Sequence, residues 1–234
     1  MDDSGSWSNA DRFYSYDTET FTKRELRLNE RFTNWKGELA VGPWTAERLQ
    51  NEYKALEFIA ARTIIPVPKV IRFERIEGAY QLVMERIDGV PLNHLANDKA
   101  QALFNAKDFI HTIILPQLQS LKSTTSGSLM GAVIPPPRIM PDTERTNWPI
   151  KTARTPIFTF CHNDLGQHNI LMNPDSLEVQ AVIDWEFSGF YPSEFEAPLW
   201  LKATYEPGYR EIDADKTERL LRFLRDPGKK PSLY

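Results

Sequence analysis

His162, Asp164, Asn169 and Asp184 are the residues of this chain whose types and spacing could do chemistry. They lie in F-T-F-C-H-N-D-L-G-Q-H-N-I-L-M-N-P and, after a short break, V-Q-A-V-I-D-W-E-F-S-G. Two carboxylates and an amide oxygen suit a hard divalent cation. Mg²⁺ takes oxygen ligands and keeps waters and substrate phosphates for the rest of its shell. Phosphoryl transfer asks for little more: a carboxylate to orient the attacking hydroxyl, and metal ligands to hold the polyphosphate. A hydrolase site for Zn²⁺ or Mn²⁺, built from His162, Asp164, His168 and Asp184, uses the same residues. It leaves Asn169 without a role, and no further ligand falls at a standard metal-motif spacing.

The flanking runs must position these groups. Val179, Ala181, Val182 and Ile183 are β-prone and stop at Asp184. Ile170, Leu171 and Met172 form a second apolar run, and Asn173-Pro174-Asp175-Ser176 between the two reads as a hairpin turn. Such a hairpin places Asp164, Asn169 and Asp184 at strand or loop edges around one point.

His162-Asn163-Asp164-Leu165, followed by Asn169, resembles the catalytic loop of the aminoglycoside phosphotransferase and choline kinase-like family, in its fungal type. Ile183-Asp184-Trp185-Glu186 resembles that family's second metal motif, which stands where protein kinases carry Asp-Phe-Gly. The resemblance covers residues 45 to 200. It implies an α+β, protein kinase-like fold of two lobes, with a reduced small lobe and a mostly helical large lobe. ATP and Mg²⁺ are the implied cofactors. Asp164 is then the catalytic carboxylate, and His162 either braces the loop or serves as a base. Asn169 and Asp184 hold the metal. Glu186 orders the loop, helps a second metal or is solvated, and His168 is either a wall of the phosphate site or a surface residue.

Upstream, Leu49, Tyr53, Leu56 and Ala60 recur at helical spacing after Thr45, which reads as an N-cap. By register with the family, Glu52 on this helix faces the phosphate-binding lysine. Lys36 is the lysine nearest upstream and the first choice for that role; Lys23 is the fallback. Residues 69–73 and 80–85 read as strands joined at Glu77-Gly78. The second resembles the strand that enters the interlobe hinge, where backbone around Met84, Arg86 and Ile87 meets adenine. Leu103, Ala106, Ile110, Ile113 and Ile114 repeat at helical spacing until Pro116 ends or kinks the run.

The front of the chain departs from the family pattern. There is no Gly-x-Gly-x-x-Gly. Residues 1 to 11 are expected to be disordered, Lys23 to Phe32 to be helical, and the first hairpin and phosphate-covering loop to be missing. The divisions expected are a leader with a remnant of the first strands over 1–44, a reduced N-terminal lobe over 45–86, and a C-terminal lobe over 87–234 with an irregular insertion at about 120–157. Pro-Gly-Lys-Lys-Pro near the end reads as a frayed tail.

With 234 residues the chain can bury a sizeable core. A net charge of -4 without a basic run argues against a nucleic-acid partner. No stretch approaches the length of an apolar membrane span, and the N-terminus shows no targeting pattern. The expected location is cytoplasmic. Cys161 is the sole cysteine, so no intrachain disulfide forms, and it reads as a buried small hydrophobe. Two functions fit: a kinase that phosphorylates a hydroxyl of a small molecule, or a catalytically degenerate relative that binds a protein partner.

Overall fold

The computed structural model describes residues 3–33, 36–37, 39, 42–95, 99–139, 147–204, 206, 212 and 214–226. The tail from residue 227, and residues 140–146 of the expected insertion, lie outside them.

Alternation of side chains builds the front of the molecule. Strands β1 (Gly5–Ser8), β2 (Arg12–Tyr16) and β3 (Thr20–Glu25) run antiparallel. Trp7 stacks on Tyr14 at 5.1 Å, and Phe21 closes on its edge at 5.9 Å. Asp17 forms the turn into β3 by accepting the amides of Glu19 and Thr20. Residues 3–11 are therefore not a disordered leader, and residues 1–2 lie outside the described residues. Nor do residues 23–32 form the expected helix; only Leu28–Glu30 makes a 3-10 turn. Pairing of Lys23 with Tyr14 on one side and Leu82 on the other overrides the local helix preference.

Helix α1 (Thr45–Arg62) follows, then β4 (Val70–Ile76) and β5 (Ala79–Glu85). The helix begins after Trp44 in the left-handed region. The Thr45 hydroxyl donates back to the Gly42 carbonyl instead of capping an amide. Leu49, Leu56 and Ile59 are buried on the face that meets the sheet. Glu77 and Gly78 both take positive φ, the mirror-image turn that suits a tight hairpin. The completed sheet has the order β1-β2-β3-β5-β4. The hairpin expected to be missing is thus present as β1 and β2. What is reduced is the turn joining them, Asn9-Ala10-Asp11, which holds no glycine.

In the large lobe β6 (Val90–Pro91) leads to α2 (Lys99–Phe109), a π turn over Ile110–Ile114 and α3 (Leu115–Ser120). The wider turn accommodates Pro116, which has no amide to give and whose ring crowds the preceding turn. Ala106, Ile110, Ile114 and Leu118 carry one buried face through it. Short strands follow: β7 (Lys122–Ser123), β8 (Phe158–Cys161), β9 (Ile170–Met172), β10 (Val179–Val182) and β11 (Gly189–Tyr191). They form two sheets, β10-β9-β6 and β11-β8-β7. Helix α4 (Ala214–Arg225) packs behind them.

One apolar core joins the lobes, from Leu49 and Leu82 to Ile114, Phe160 and Trp185. A second gathers Val133, Ile139 and Trp148 against Cys161, Tyr191 and Phe195. The stretch over 120–157 is irregular in backbone, yet it supplies core side chains. Cys161 is buried at the end of β8, as its apolar neighbours predict.

Candidate active site

The site lies where β3, α1 and the β9–β10 hairpin converge. Lys23, on β3, donates to Glu52 Oε1 at 2.6 Å and to Asp184 Oδ1 at 2.7 Å. Lys36 is exposed in a turn, so the choice of Lys36 as the lysine facing Glu52 is corrected to Lys23. Residue spacing could not decide this, because the strand carrying Lys23 is recognisable as a strand only by its partners. Glu52 falls on the inner side of α1 as its register predicts, and its side chain is almost wholly buried.

The three groups adjust each other's charge. Burial works against the Lys23 ammonium, but Asp184 and Glu52 outweigh it and hold the lysine firmly charged. Burial also opposes the Asp184 carboxylate, and Lys23 more than compensates, so its pKa is lowered. For Glu52 burial dominates despite Lys23 and pushes the carboxyl up to about 7.

Asp164 is held from its own loop. Asn169 Nδ2 donates to the Asp164 carbonyl at 2.8 Å and to its carboxylate at 3.1 Å. His168 Nε2 lies 3.4 Å from the same carboxylate oxygen. Burial works against a charge on His168, but Asp164 raises its pKa, and the half-buried ring lies against the carboxylate. With the Asn169 amide nitrogen committed to Asp164, only its amide oxygen has the chemistry to take a cation.

His162 is occupied on both ring nitrogens. Nε2 bonds the Ile183 carbonyl at 3.0 Å, and Nδ1 accepts the Asp164 amide at 3.2 Å. Burial lowers its pKa, and its ring packs 4.4 Å from Trp185. Of the two readings of His162, this geometry matches the brace: the ring ties the two motif loops together. Asn163, at φ 70°, adds a second tie by donating to the Phe187 carbonyl at 2.7 Å. Asp184 itself has φ 64°, a conformation Asp tolerates better than most residues.

Beside Lys23 opens a cavity of about 340 Å³. Trp7, Tyr16 and Phe21 roof it, and Met84, Arg86 and Ile87 line its hinge side, with Leu171 and Ile183 also on its walls. The Arg86 guanidinium is held by Asp3 and the Asp17 carbonyl and lies 4.6 Å over the Tyr16 ring.

Several supports had no mark in the sequence. Glu196 accepts the His162 amide at 2.5 Å, and Arg138, from the irregular stretch, donates to the carbonyls of Asn163 and Phe195. Asn51, fully buried on α1, donates to the carbonyls of Glu186 and Ser188. For Asn51 there was a faint signal: a polar residue beside Glu52 on the inner side of an amphipathic helix.

The profile of the Phosphotransferase enzyme family matches residues 18–115 and 141–225. The chain belongs to this family. Among solved structures, this family member is similar to APH(2″)-IIia in a complex with GDP and kanamycin. That match has 11% identity and a TM-score of 0.56, and covers 94% of this chain and 80% of the other. It is also similar to an aminoglycoside-3′-phosphotransferase of type VIII, at 18% identity and a TM-score of 0.53, covering 92% and 81%. A third is an aminoglycoside phosphotransferase from Streptomyces rimosus with ADP and streptomycin, at 16% identity and 0.53, covering 95% and 86%. These likenesses show a shared protein kinase-like fold. No curated protein matches the chain. Among the described residues no helix is long and apolar enough to cross a membrane.

Proposed function

We propose that this phosphotransferase-family protein moves the terminal phosphate of ATP to a hydroxyl of a small molecule, with Mg²⁺ as the cation. The observation that carries this reading is Lys23 between Glu52 and Asp184 at the mouth of the hinge cavity. An ammonium fixed by a buried carboxylate is a ready donor to a polyphosphate. Asp164 accepts or orients the acceptor hydroxyl from the adjoining loop. Asn169 and Asp184 fit the cation by chemistry: hard oxygen donors on two loops that His162 ties together. When bound, Mg²⁺ neutralises the phosphate oxygens. The aminoglycosides named with the similar structures make a polyhydroxylated small molecule the first acceptor class to test.

One observation favours the degenerate reading, in which the site binds without turnover and serves a protein partner. The β1–β2 turn lacks glycines that bring backbone amides onto the phosphates. Calorimetric titration with ATP, with and without Mg²⁺, followed by an acceptor screen, separates the two. Mg²⁺-dependent binding that is lost in Asp184→Ala, with phosphorylated acceptor formed, supports the enzyme. Binding without product under any acceptor supports the degenerate form, and no binding at millimolar ATP by the folded protein sinks the kinase reading and leaves a degenerate scaffold whose partner a pull-down would seek.

A further inference from the structure

Four charged side chains that the proposed transfer does not use meet beside Asp184. Glu186 takes one arginine on each carboxylate oxygen: Arg12 Nη2 at 3.2 Å on Oε2 and Arg48 Nη1 at 3.2 Å on Oε1. Arg48 Nη2 then reaches Asp11 Oδ2 at 2.6 Å. The chain of charges runs from the β1–β2 turn through β2 and α1 to the loop after Asp184. Arg12, Arg48 and Glu186 are largely enclosed, with side-chain exposures of 2%, 7% and 13%.

The surroundings are shaped for it. A Cβ on Gly42 would fall 2.0 Å from Asp11 Oδ1, so any other residue there makes the Asp11 carboxylate shift from the place where it meets Arg48. The Arg48 guanidinium also lies 5.3 Å over the Phe187 ring. The oxygens of Glu52, Asp184 and Glu186 come within 4.8 Å of one another, a cluster that by itself resembles a cation site. Yet Lys23 bridges the first two and two arginines occupy the third. Drawing Glu186 onto a metal would leave two enclosed guanidinium groups short of their countercharge.

We propose that Glu186 is a positioning residue and not a metal ligand. It is the hub of a clasp that closes the β1–β2 turn and α1 onto the loop carrying Asp184. The clasp holds the glycine-free turn over the site and keeps the Asp184 carboxylate opposite Lys23. Its consequence for the metal rests on the phosphotransferase reading; the clasp itself does not.

The test uses the full chain with Asp11→Asn, Gly42→Ala and Glu186→Gln. Asp11→Asn and Gly42→Ala loosen the clasp at its solvent end and spare the core. Amide hydrogen exchange without nucleotide should rise about tenfold in both residues 9–12 and residues 184–188, with β4 and β5 unchanged. The Mg²⁺ concentration for half-maximal nucleotide binding should rise several-fold, and metal-free nucleotide affinity should stay as it was. Unmoved exchange over 184–188 in both mild variants overturns the clasp. Loss of the Mg²⁺ response in Glu186→Gln, with a wild-type response in both mild variants, makes Glu186 a ligand and overturns its assignment. Where Glu186→Gln does not fold, the two mild variants decide. A wild-type protein that binds no Mg²⁺–nucleotide refutes the phosphotransferase reading, and the exchange measurement still decides the clasp.

Discussion

The ammonium of Lys23 lies 2.7 Å from the carboxylate of Asp184, although 161 residues separate them in the chain. Glu52 holds the same ammonium from the other side at 2.6 Å. One cation shared by two acids can be redistributed. On the proposed function Asp184 turns to the metal, and Lys23, still anchored by Glu52, turns to the phosphates.

Lys23→Ala should lower kcat by about 10²- to 10³-fold, the usual loss for one preorganised donor to a transition state. Lys36→Ala should leave kcat unchanged, since Lys36 is exposed in a turn. Steady-state kinetics of both variants, with circular dichroism to confirm folding, checks the assignment. Equal losses would return the choice to open ground.

Replacing Asp164 by Asn should retain Mg²⁺-dependent nucleotide binding while transfer falls by about 10²- to 10⁴-fold, the range for a general acid–base group. His162→Gln should act differently. It cuts the ties to Ile183 and to the Asp164 amide, so it should weaken thermal stability as well as kcat. A pH–rate profile of His162→Gln with the same shape as wild type supports the bracing role. A lost limb in that profile would restore His162 as a base.

Glu196 gives the fold a pH dependence of known sign. Burial pushes its carboxyl up to about 7, against the His162 amide and Arg138, which lower it. A carboxyl raised on folding binds its proton more tightly in the native state. Its charge therefore costs nothing below the unfolded value near 4.5 and costs most above about 7. Because Glu196 keeps some contact with solvent, we expect on the order of 2 kcal/mol across that window. Thermal melts from pH 5 to 8 should show stability falling as pH rises, with a shallower slope in Glu196→Gln. An identical slope in the variant would show that Glu196 does not titrate there.

Trp185→Ala should cost about 3–5 kcal/mol, as for other large aromatic truncations in a core. Trp185 is fully buried, packs on His162 and Phe160, and donates Nε1 to the Val182 carbonyl at 2.9 Å. Chemical denaturation checks the figure. A loss below about 1 kcal/mol would mean that the core collapses into the space.

The loop half of the candidate site is legible in the sequence because it is local. Asp164 and Asn169 sit on one loop, and Asp184 follows a single hairpin whose turn chemistry, Asn173 Oδ1 accepting the amides of Asp175 and Ser176, is written in adjacent residues. Glu52 is legible too, through its register with the family's helix glutamate rather than from the helical period by itself. The lysine that meets Glu52 is not. The strand of Lys23 carries residues that also suit a helix, and only pairing with Tyr14 and Leu82 makes it a strand that aims Lys23 at Glu52. The alternating Arg-Phe-Tyr-Ser-Tyr run and the Asp17 turn were the available signs of it. Which atoms of His162 and Glu186 are engaged was visible only in the tertiary structure. Each is set by partners far along the chain: Ile183 and Glu196 for His162, Arg12 and Arg48 for Glu186. A titratable side chain announces what it can do by its type. Whether it moves a proton, binds a metal or holds a loop depends on which of its atoms folding has already engaged.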